Sequence, residues 1–323
     1  MNTRYFAFDD GKYWMDNEEL APLGDNEFRV ETTRSLVSVG TETACNTGKS
    51  GWSTGRHGYS NVGRVTAVGK DVKEIAEGTR FFSAATHTDV YQCTADAGFV
   101  VPDGVTDDEA IFASLGVVAM HVIERAAIVF GQPVVVVGLG TVGQLTQQLA
   151  RLSGAGTVIG VDLDAACRER ALALGADAAI PPTEEALNEA LSNVVSSSPK
   201  PVFIDVTGSA AAVSWIFKTA PLHSRIILAG AYLDSFEIDP NSIVRGEFTV
   251  CGAHQPKCPG EQDTYYPYSK DFNYNGFFSL VEKGKLKVDT LSDGSISPDE
   301  LIGFYESASK KEASLRQPVL KWS

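Results

Sequence analysis

The chain has 323 residues, 43% of them hydrophobic and 21% charged, with a formal net charge of −14 at pH 7. That length allows one large domain or two ordinary ones, with enough core to fold without disulfide or metal staples. The negative charge disfavours nucleic acids and anionic membrane surfaces as partners.

Five cysteines, Cys45, Cys93, Cys167, Cys251 and Cys258, are scattered and form no CxxC pair. This predicts free thiols in a reducing cytoplasm rather than a disulfide framework or a zinc knuckle. The opening MNTRYFAFDDGKYW has no apolar run and carries early acids, so it does not read as a signal peptide. No stretch approaches the roughly 18 apolar residues that span a bilayer. The expectation is a soluble, cytoplasmic protein.

Residues 1–110 read as β-rich. FRVETTRSLVSVG alternates apolar and polar residues, NVGRVTAVGKDV is a strand pattern broken by Gly63 and Gly69, and GTRFFSAATHTDVYQC gives two short strands. Glycine-marked turns at about ten-residue spacing suggest a small barrel. The stretch VTDDEAIFASLGVVAMHVIERAAIVF reads as helix, with acids in its first turn.

From there strands and helices alternate. PVVVVGLG is a continuous apolar run, typical of a strand buried on both faces. TVGQLTQQLARLSGA places Val142, Leu145, Leu149 and Leu152 at helical spacing. TVIGVD, DAAI, PVFIDV and RIILAGA are further strands, separated by AACRERALALGA, TEEALNEALSNVV and AAAVSWIFKTA as helices. This pitch predicts a doubly wound parallel sheet of the α/β class. After EFTVCGAH, the stretch from His254 to Asn275 is rich in proline, glycine and tyrosine, including Tyr265, Tyr266, Tyr268 and Tyr274. It reads as a substrate loop or a lid. FFSLVEKGKL and SPDELIGFYESASKK are predicted helices, and PVLKW a closing strand.

The sharpest motif is GLGTVG, with Gly138, Gly140 and Gly143. It follows a buried strand, opens an amphipathic helix, and precedes a second strand that ends in Asp162. Gly138 permits the tight turn, Gly140 lets backbone approach a pyrophosphate, and Gly143 lets helix and strand pack closely. The helix start at Thr141 and Val142 offers amides and a partial positive charge to phosphates. Asp162, 19 residues beyond Gly143, suits the adenosine ribose hydroxyls. A 2′-phosphate would meet its charge, so NAD is expected over NADP. Arg168 is placed to stack near the adenine or to sit on a solvated helix face.

The order of parts resembles the medium-chain dehydrogenase/reductase superfamily over nearly the whole chain. The matching pieces are SVGTETACNTG (Ser38–Gly48), GYSNVGRVTAVG (Gly58–Gly69), EGTRFF, GLGTVG with VDLD, DVTGSAAAV (Asp205–Val213) and IILAGAY (Ile226–Tyr232). SVGTE, GYSNVGRV and VLKW look most like its bacteriochlorophyllide a dehydrogenase branch. The resemblance implies a GroES-like catalytic domain over 1–110, a Rossmann domain over 111–254 and a return to the catalytic domain over 255–323. It also implies cofactor contacts at Thr207 and Gly230, and a homodimer paired through EFTVCGAH at the sheet edge.

Zinc-dependent members carry a cysteine before the glycine–threonine–acid run, a Gly-His-Glu element, and a ligand in the linker helix. Here those places hold Val39, Gly58-Tyr59-Ser60 and Ser114. A catalytic zinc needs about three Cys, His or carboxylate ligands, so the resemblance implies a zinc-free member. A proton donor or acceptor must then face the reacting oxygen. Tyr59 is the first candidate, its phenol expected to turn more acidic beside a cationic nicotinamide. Thr41 matches a hydroxyl that bonds the substrate oxygen. Glu42 either orients Tyr59 or binds backbone amides. His57 and His87 are alternative acids, His121 fits packing, and His254 is placed to reach the nicotinamide or substrate.

The expected activity is hydride transfer between NAD and a secondary alcohol or ketone of a small-molecule substrate, a sugar, polyol or ring hydroxyl, in the cleft between the domains. The alternatives are reduction of an activated double bond, transient oxidation with retained NAD, and a dinucleotide-binding protein without catalysis.

Overall fold

A computed structural model describes residues 1–9, 12–45, 55–192, 194, 199–233, 235–254, 268–310 and 317–322. In chain order the first elements are β1 (Asn2–Asp9), β2 (Lys12–Glu19), β3 (Phe28–Leu36), α1 (Val39–Cys45), β4 (Gly55–Arg56), β5 (Asn61–Val68), β6 (Arg80–Ser83), β7 (Val90–Cys93) and β8 (Gly98–Val100). Then come α2 (Asp107–Ala110), α3 (Ala113–Ala126), β9 (Pro133–Val137), α4 (Thr141–Leu152), β10 (Thr157–Val161), α5 (Ala165–Ala173), β11 (Ala178–Ile180) and α6 (Glu184–Ser192). β12 (Val202–Asp205), α7 (Ala210–Thr219), β13 (Arg225–Leu228), α8 (Pro240–Gly246), β14 (Thr249–Gly252), α9 (Lys270–Glu282), β15 (Gly294–Ile296), α10 (Leu301–Ser309) and β16 (Pro318–Lys321) complete the series.

The chain divides into two compact units. Unit 1 comprises Met1–Ser114, Phe278–Lys283 and Val288–Ser323, and unit 2 comprises Leu115–Phe277 and Gly284–Lys287. The units change over between Ser114 and Leu115 and again between Phe277 and Phe278, against the sequence-based limits of 110 and 254. Packing explains the second change. Within unit 2, Phe277 is fully buried, and a Cβ on Gly116 would lie 2.1 Å from its ring. The next residue, Phe278, packs edge-on against Phe82 of unit 1 at 6.0 Å.

Unit 2 is built on a six-stranded sheet in the order β11-β10-β9-β12-β13-β14, with every neighbouring pair parallel. The order reverses between β9 and β12, the switch point where such sheets take ligands. All five residues of β9 are buried, as its unbroken valine run requires. Val135, Ile159, Phe203 and Ile226 meet in register across four strands and, with Leu187 and Ile216, form the core.

Helix α4 departs from its expected apolar stripe. Leu152 is exposed, while Gln144, Gln147 and Gln148 are buried. Each amide replaces apolar contact with hydrogen bonds to backbone. Gln144 donates to the carbonyls of Leu139 and Cys167, and Gln148 both donates to Lys287 O and accepts from Lys287 N–H.

Unit 1 contains a seven-stranded sheet, β15-β16-β3-β5-β6-β8, with β7 also pairing to β3. A second, three-stranded sheet, β2-β1-β4, holds an N-terminal hairpin not expected from sequence. The single helix read after Thr106 is two. Thr106 and Glu109 close a capping box on α2, and α3 starts afresh at Ala113. Tyr274, read as part of a loop, is a buried residue of α9. Tyr265, Tyr266 and Cys258 lie outside the described residues. Cys45, Cys93, Cys167 and Cys251 are free thiols. Among the described residues no helix is long and apolar enough to cross a membrane.

Candidate functional site

The glycine motif of unit 2 adopts the expected turn. Gly138 has φ +94°, a conformation that L side chains rarely adopt, and a Cβ there would also strike Thr207 Cγ2 at 2.6 Å. A Cβ on Gly143 would lie 1.8 Å from Gly138 O, so α4 can seat against the turn only with glycine there. A Cβ on Gly140, by contrast, would meet nothing within 4 Å, which leaves open space over the N-terminus of α4. Gly140 is the N-cap and supplies no capping side chain to the first turn at Thr141 and Val142.

Asp162 directly follows β10, beside this turn. Its Oδ2 accepts from Leu139 N–H at 2.7 Å and its Oδ1 from Asp164 N–H at 2.8 Å. The carboxylate is thus oriented by backbone, and each oxygen keeps a further acceptor site for a ribose hydroxyl. Arg168 is half-buried and donates Nη1 to the carbonyls of Asp162 and Leu163, at 2.8 and 2.9 Å. It braces the corner after Asp162.

Thr207 and Gly230 follow the neighbouring strands β12 and β13. Thr207 donates its hydroxyl to the buried Asp205 Oδ1 at 2.6 Å and accepts from Ser209 N–H at 2.9 Å. Gly230 passes so close that a Cβ would sit 2.1 Å from Gly208 N. Tyr232, not singled out from sequence, donates its hydroxyl to Asp205 Oδ2. These residues, Gly138 and Asp162 cluster at the carboxyl ends of adjacent strands, and the open cradle over Gly140 fits a dinucleotide.

Unit 1 brings together a second group. Tyr59 O–H donates to Ser38 Oγ at 2.5 Å, with Thr41 Oγ1 at 3.4 Å. Burial pushes the Tyr59 hydroxyl up to about 12; the hydrogen bonds with Ser38 and Thr41 oppose that rise, and the Glu42 charge adds to it. Desolvation outweighs the two hydroxyl partners.

Glu42 is buried in the first turn of α1. Its Oε1 accepts from Ser38 N–H at 3.0 Å, which satisfies one amide at the helix start. Its Oε2 takes the Tyr305 hydroxyl and lies 3.3 Å from His87 Nε2. Tyr305 has no motif around it in the sequence; the α10 segment that carries it reads only as amphipathic.

His57 is placed differently. Its ring lies face to face with Phe8 at 3.7 Å, amid Phe6, Tyr13 and Tyr305. Burial pulls its pKa down to about 4, against an opposing pull from Glu42. It is a packed, neutral imidazole. His121 is buried 3.1 Å from Glu124, and His254 is exposed after β14.

A family model described as zinc-binding dehydrogenase matches residues 141–270. Mouse sorbitol dehydrogenase is 27% identical over 247 residues, covering 63% of this chain and 67% of that protein. L-threonine 3-dehydrogenase of Vibrio cholerae is 23% identical over 279 residues, covering 75% and 80%. The fold matches, over the full length of both chains, a protein from Sinorhizobium meliloti 1021 described as a zinc-binding dehydrogenase and solved bound to NADP, at TM-score 0.82 and 21% identity. Galactitol-1-phosphate dehydrogenase from Escherichia coli matches equally fully at TM-score 0.81 and 16% identity.

The chain is similar to medium-chain dehydrogenases/reductases, in sequence over residues 141–270 and in fold over its whole length. Its two units correspond to the superfamily's Rossmann and GroES-like domains, and it is an oxidoreductase. The positions that the sequence resemblance sets against zinc ligands hold Val39, Tyr59, Ser60 and Ser114, and the serines are hydrogen-bonded to backbone. Ser60 Oγ donates to Ile111 O at 2.5 Å and Ser114 Oγ to Tyr59 O at 2.6 Å. Val39 has no donor atom in its side chain. These positions do not fit a zinc ion, and among the described residues no group of three His, Cys, Asp or Glu is placed to hold one.

Proposed function

We propose that this oxidoreductase works without zinc, uses NAD, and interconverts a secondary alcohol and its ketone, with Tyr59 as the proton donor and acceptor. The observation that carries the reading is the Tyr59 hydroxyl, bonded to Ser38 with Thr41 beside it, in the place of the absent Gly-His-Glu element. Nicotinamide, when bound, supplies or accepts the hydride.

The chain's own residues handle the proton. In ketone reduction the oxygen gains charge as the carbon accepts hydride, and Tyr59 O–H gives it a proton. Ser38 Oγ donates a hydrogen bond to the resulting phenolate and holds it until a proton from solvent restores the Tyr59 hydroxyl. Thr41 hydrogen-bonds the same substrate oxygen and fixes its approach. A hydroxyl raised to about 12 is suited to donation, because it stays protonated across the physiological range. Glu42 orients this group from behind, and His57 supplies packing.

For the cofactor, Gly138, Gly140, Thr141, Val142 and Gly143 would receive the pyrophosphate, Asp162 the ribose hydroxyls, and Thr207 and Gly230 the face nearer the nicotinamide. Arg168 holds the Asp162 corner in place. The Asp162 charge favours NAD over NADP. The sorbitol and galactitol-phosphate activities named for similar proteins support a polyol or sugar-like substrate. The nearer likeness to the bacteriochlorophyllide a dehydrogenase branch rests on SVGTE, GYSNVGRV and VLKW. The edge strand β14 supports a homodimer joined across that edge, which a gel-filtration mass near 34.6 kDa would exclude.

The test mixes protein, NAD and a panel of polyols and secondary alcohols, and follows reduced nicotinamide by absorbance, with metal analysis on the same sample. Turnover without stoichiometric zinc is expected. Activity that depends on zinc overturns the reading. So does tight NAD binding with no conversion of any alcohol or ketone, which points to a non-catalytic dinucleotide-binding protein.

A further inference from the structure

Behind Ser38 and Glu42, unit 1 holds a buried polar chain that the reaction above does not use. Trp322 Nε1–H donates to Ser35 Oγ at 2.8 Å, and Ser35 Oγ lies 2.9 Å from His87 Nδ1. His87 Nε2 lies 3.3 Å from Glu42 Oε2, which also takes the Tyr305 hydroxyl. Ser35, His87 and Tyr305 are 0% exposed, so water does not complete these bonds.

Donor chemistry gives the chain a direction. An indole N–H can only donate, so Ser35 Oγ is the acceptor of that bond. A hydroxyl oxygen can accept twice, so Ser35 alone does not set the ring; a carboxylate only accepts, so the nitrogen facing Glu42 donates and Nδ1 accepts the Ser35 proton. The ring proton is left on Nε2, facing Glu42. With Ser38 N–H, the carboxylate receives three donors, and none of them needs it to carry a proton. The opposite tautomer would turn a bare Nε2 lone pair toward the carboxylate. In a dry site that repulsion is not relieved.

Glu42 connects this chain to the substrate side. Its Oε1 fixes the backbone N–H of Ser38, the residue whose hydroxyl meets Tyr59. We propose that Trp322, Ser35 and His87 are positioning residues: they keep the imidazole proton on Nε2, donating to Glu42, and so fix the carboxyl group that holds Ser38 against Tyr59. For its effect on turnover the inference rests on Tyr59 as the proton donor; the tautomer itself does not.

The test labels the full-length protein with 15N-histidine and reads His87 in long-range proton–nitrogen spectra, without cofactor or substrate. The wild type should show the proton on Nε2 and an accepting Nδ1. Ser35→Ala and Trp322→Phe should each shift His87 toward the other tautomer and lower kcat roughly tenfold, the scale of one oriented hydrogen bond, with KM for NAD unchanged. His87→Gln, which keeps an N–H donor, should retain more activity than His87→Ala. The charged and titratable groups acting on Tyr59 are Glu42 and Cys45, so the ultraviolet titration of its phenol should move in Trp322→Phe while Cys45 is untouched. A wild-type His87 protonated on Nδ1, or unchanged by Ser35→Ala, overturns the relay. The wild-type spectrum decides the matter even where a variant fails to fold. An active Tyr59→Phe enzyme with His87 on Nε2 would instead remove Tyr59 as donor and leave the tautomer standing.

Discussion

The Tyr59 hydroxyl and Ser38 Oγ are 2.5 Å apart and come from two different motifs, GYSNVG and SVGTE. The short helix α1 and the turn at Gly58 together bring one hydroxyl to the other. Replacing Tyr59 by Phe removes the proton and leaves the ring. We expect kcat to fall by about 10²–10⁴, the usual range for a positioned acid–base group. Binding of NAD should stay within about twofold, since no cofactor contact is lost. Steady-state kinetics with a parallel binding titration separates these effects; a fall in affinity with kcat intact would place Tyr59 elsewhere in the cycle.

Asp162 is held by two backbone amides, so its charge sits at a fixed place beside the glycine turn. Asp162→Asn keeps much of that geometry and deletes the charge. NAD affinity should drop about tenfold, the scale of one charge-assisted bond. NADP affinity should fall less, or rise. Calorimetric titration with both dinucleotides gives the ratio, and an unchanged ratio would rule Asp162 out as the discriminator.

His57 makes stability depend on pH. Folded, it resists protonation down to about 4, whereas its ordinary value is 6.5. Between those values the unfolded chain binds a proton that the folded chain refuses, so this contribution is full above pH 6.5 and fades as pH falls toward 4. Allowing for partial solvent screening, the loss should be on the order of 1–2 kcal/mol. His57→Phe keeps a ring against Phe8 and removes the titration. Its urea midpoint should change less between pH 7 and pH 5 than the wild type's; equal changes would show that other groups set the slope.

Gly58 stands between His57 and Tyr59 with φ +98°, and a Cβ there would lie 2.6 Å from His87 N. Gly58→Ala combines backbone strain with a clash against a backbone atom that already donates to His57 O at 2.8 Å. A destabilisation of about 2–4 kcal/mol is expected, read as a lower thermal midpoint together with loss of activity. A fully stable, fully active variant would mean that the turn relaxes freely.

The parts legible in the sequence were those written over short distances. The valine run, the glycine spacing and Asp162 define unit 2, because a parallel sheet repeats one local pattern. The polar contacts of unit 1 were not legible. Tyr305 meets Glu42, and Trp322 meets Ser35, across more than 250 residues, and no periodicity announces such meetings. In the sequence His87 reads as an alternative acid, and only its burial between Ser35 and Glu42 marks it as a bridge. On α4, three buried glutamines took places that apolar spacing does not foresee, because amide bonds to backbone replace oil-like contact. The change of unit within α9 has no sequence signal either: two adjacent phenylalanines, Phe277 and Phe278, belong to different units.

Strand β16 pairs with β3, placing Leu320 opposite Ser35, while the entire parallel sheet is encoded between them. During synthesis unit 2 can therefore close its sheet while the Arg34–Leu36 end of β3 still lacks its β16 neighbour. Loop closure on that scale is slow, and an unpaired strand edge invites contacts with other nascent chains. Ribosome-bound intermediates should thus display a protease-resistant parallel domain first, with the N-terminal strands acquiring protection only after the last strand emerges from the exit tunnel.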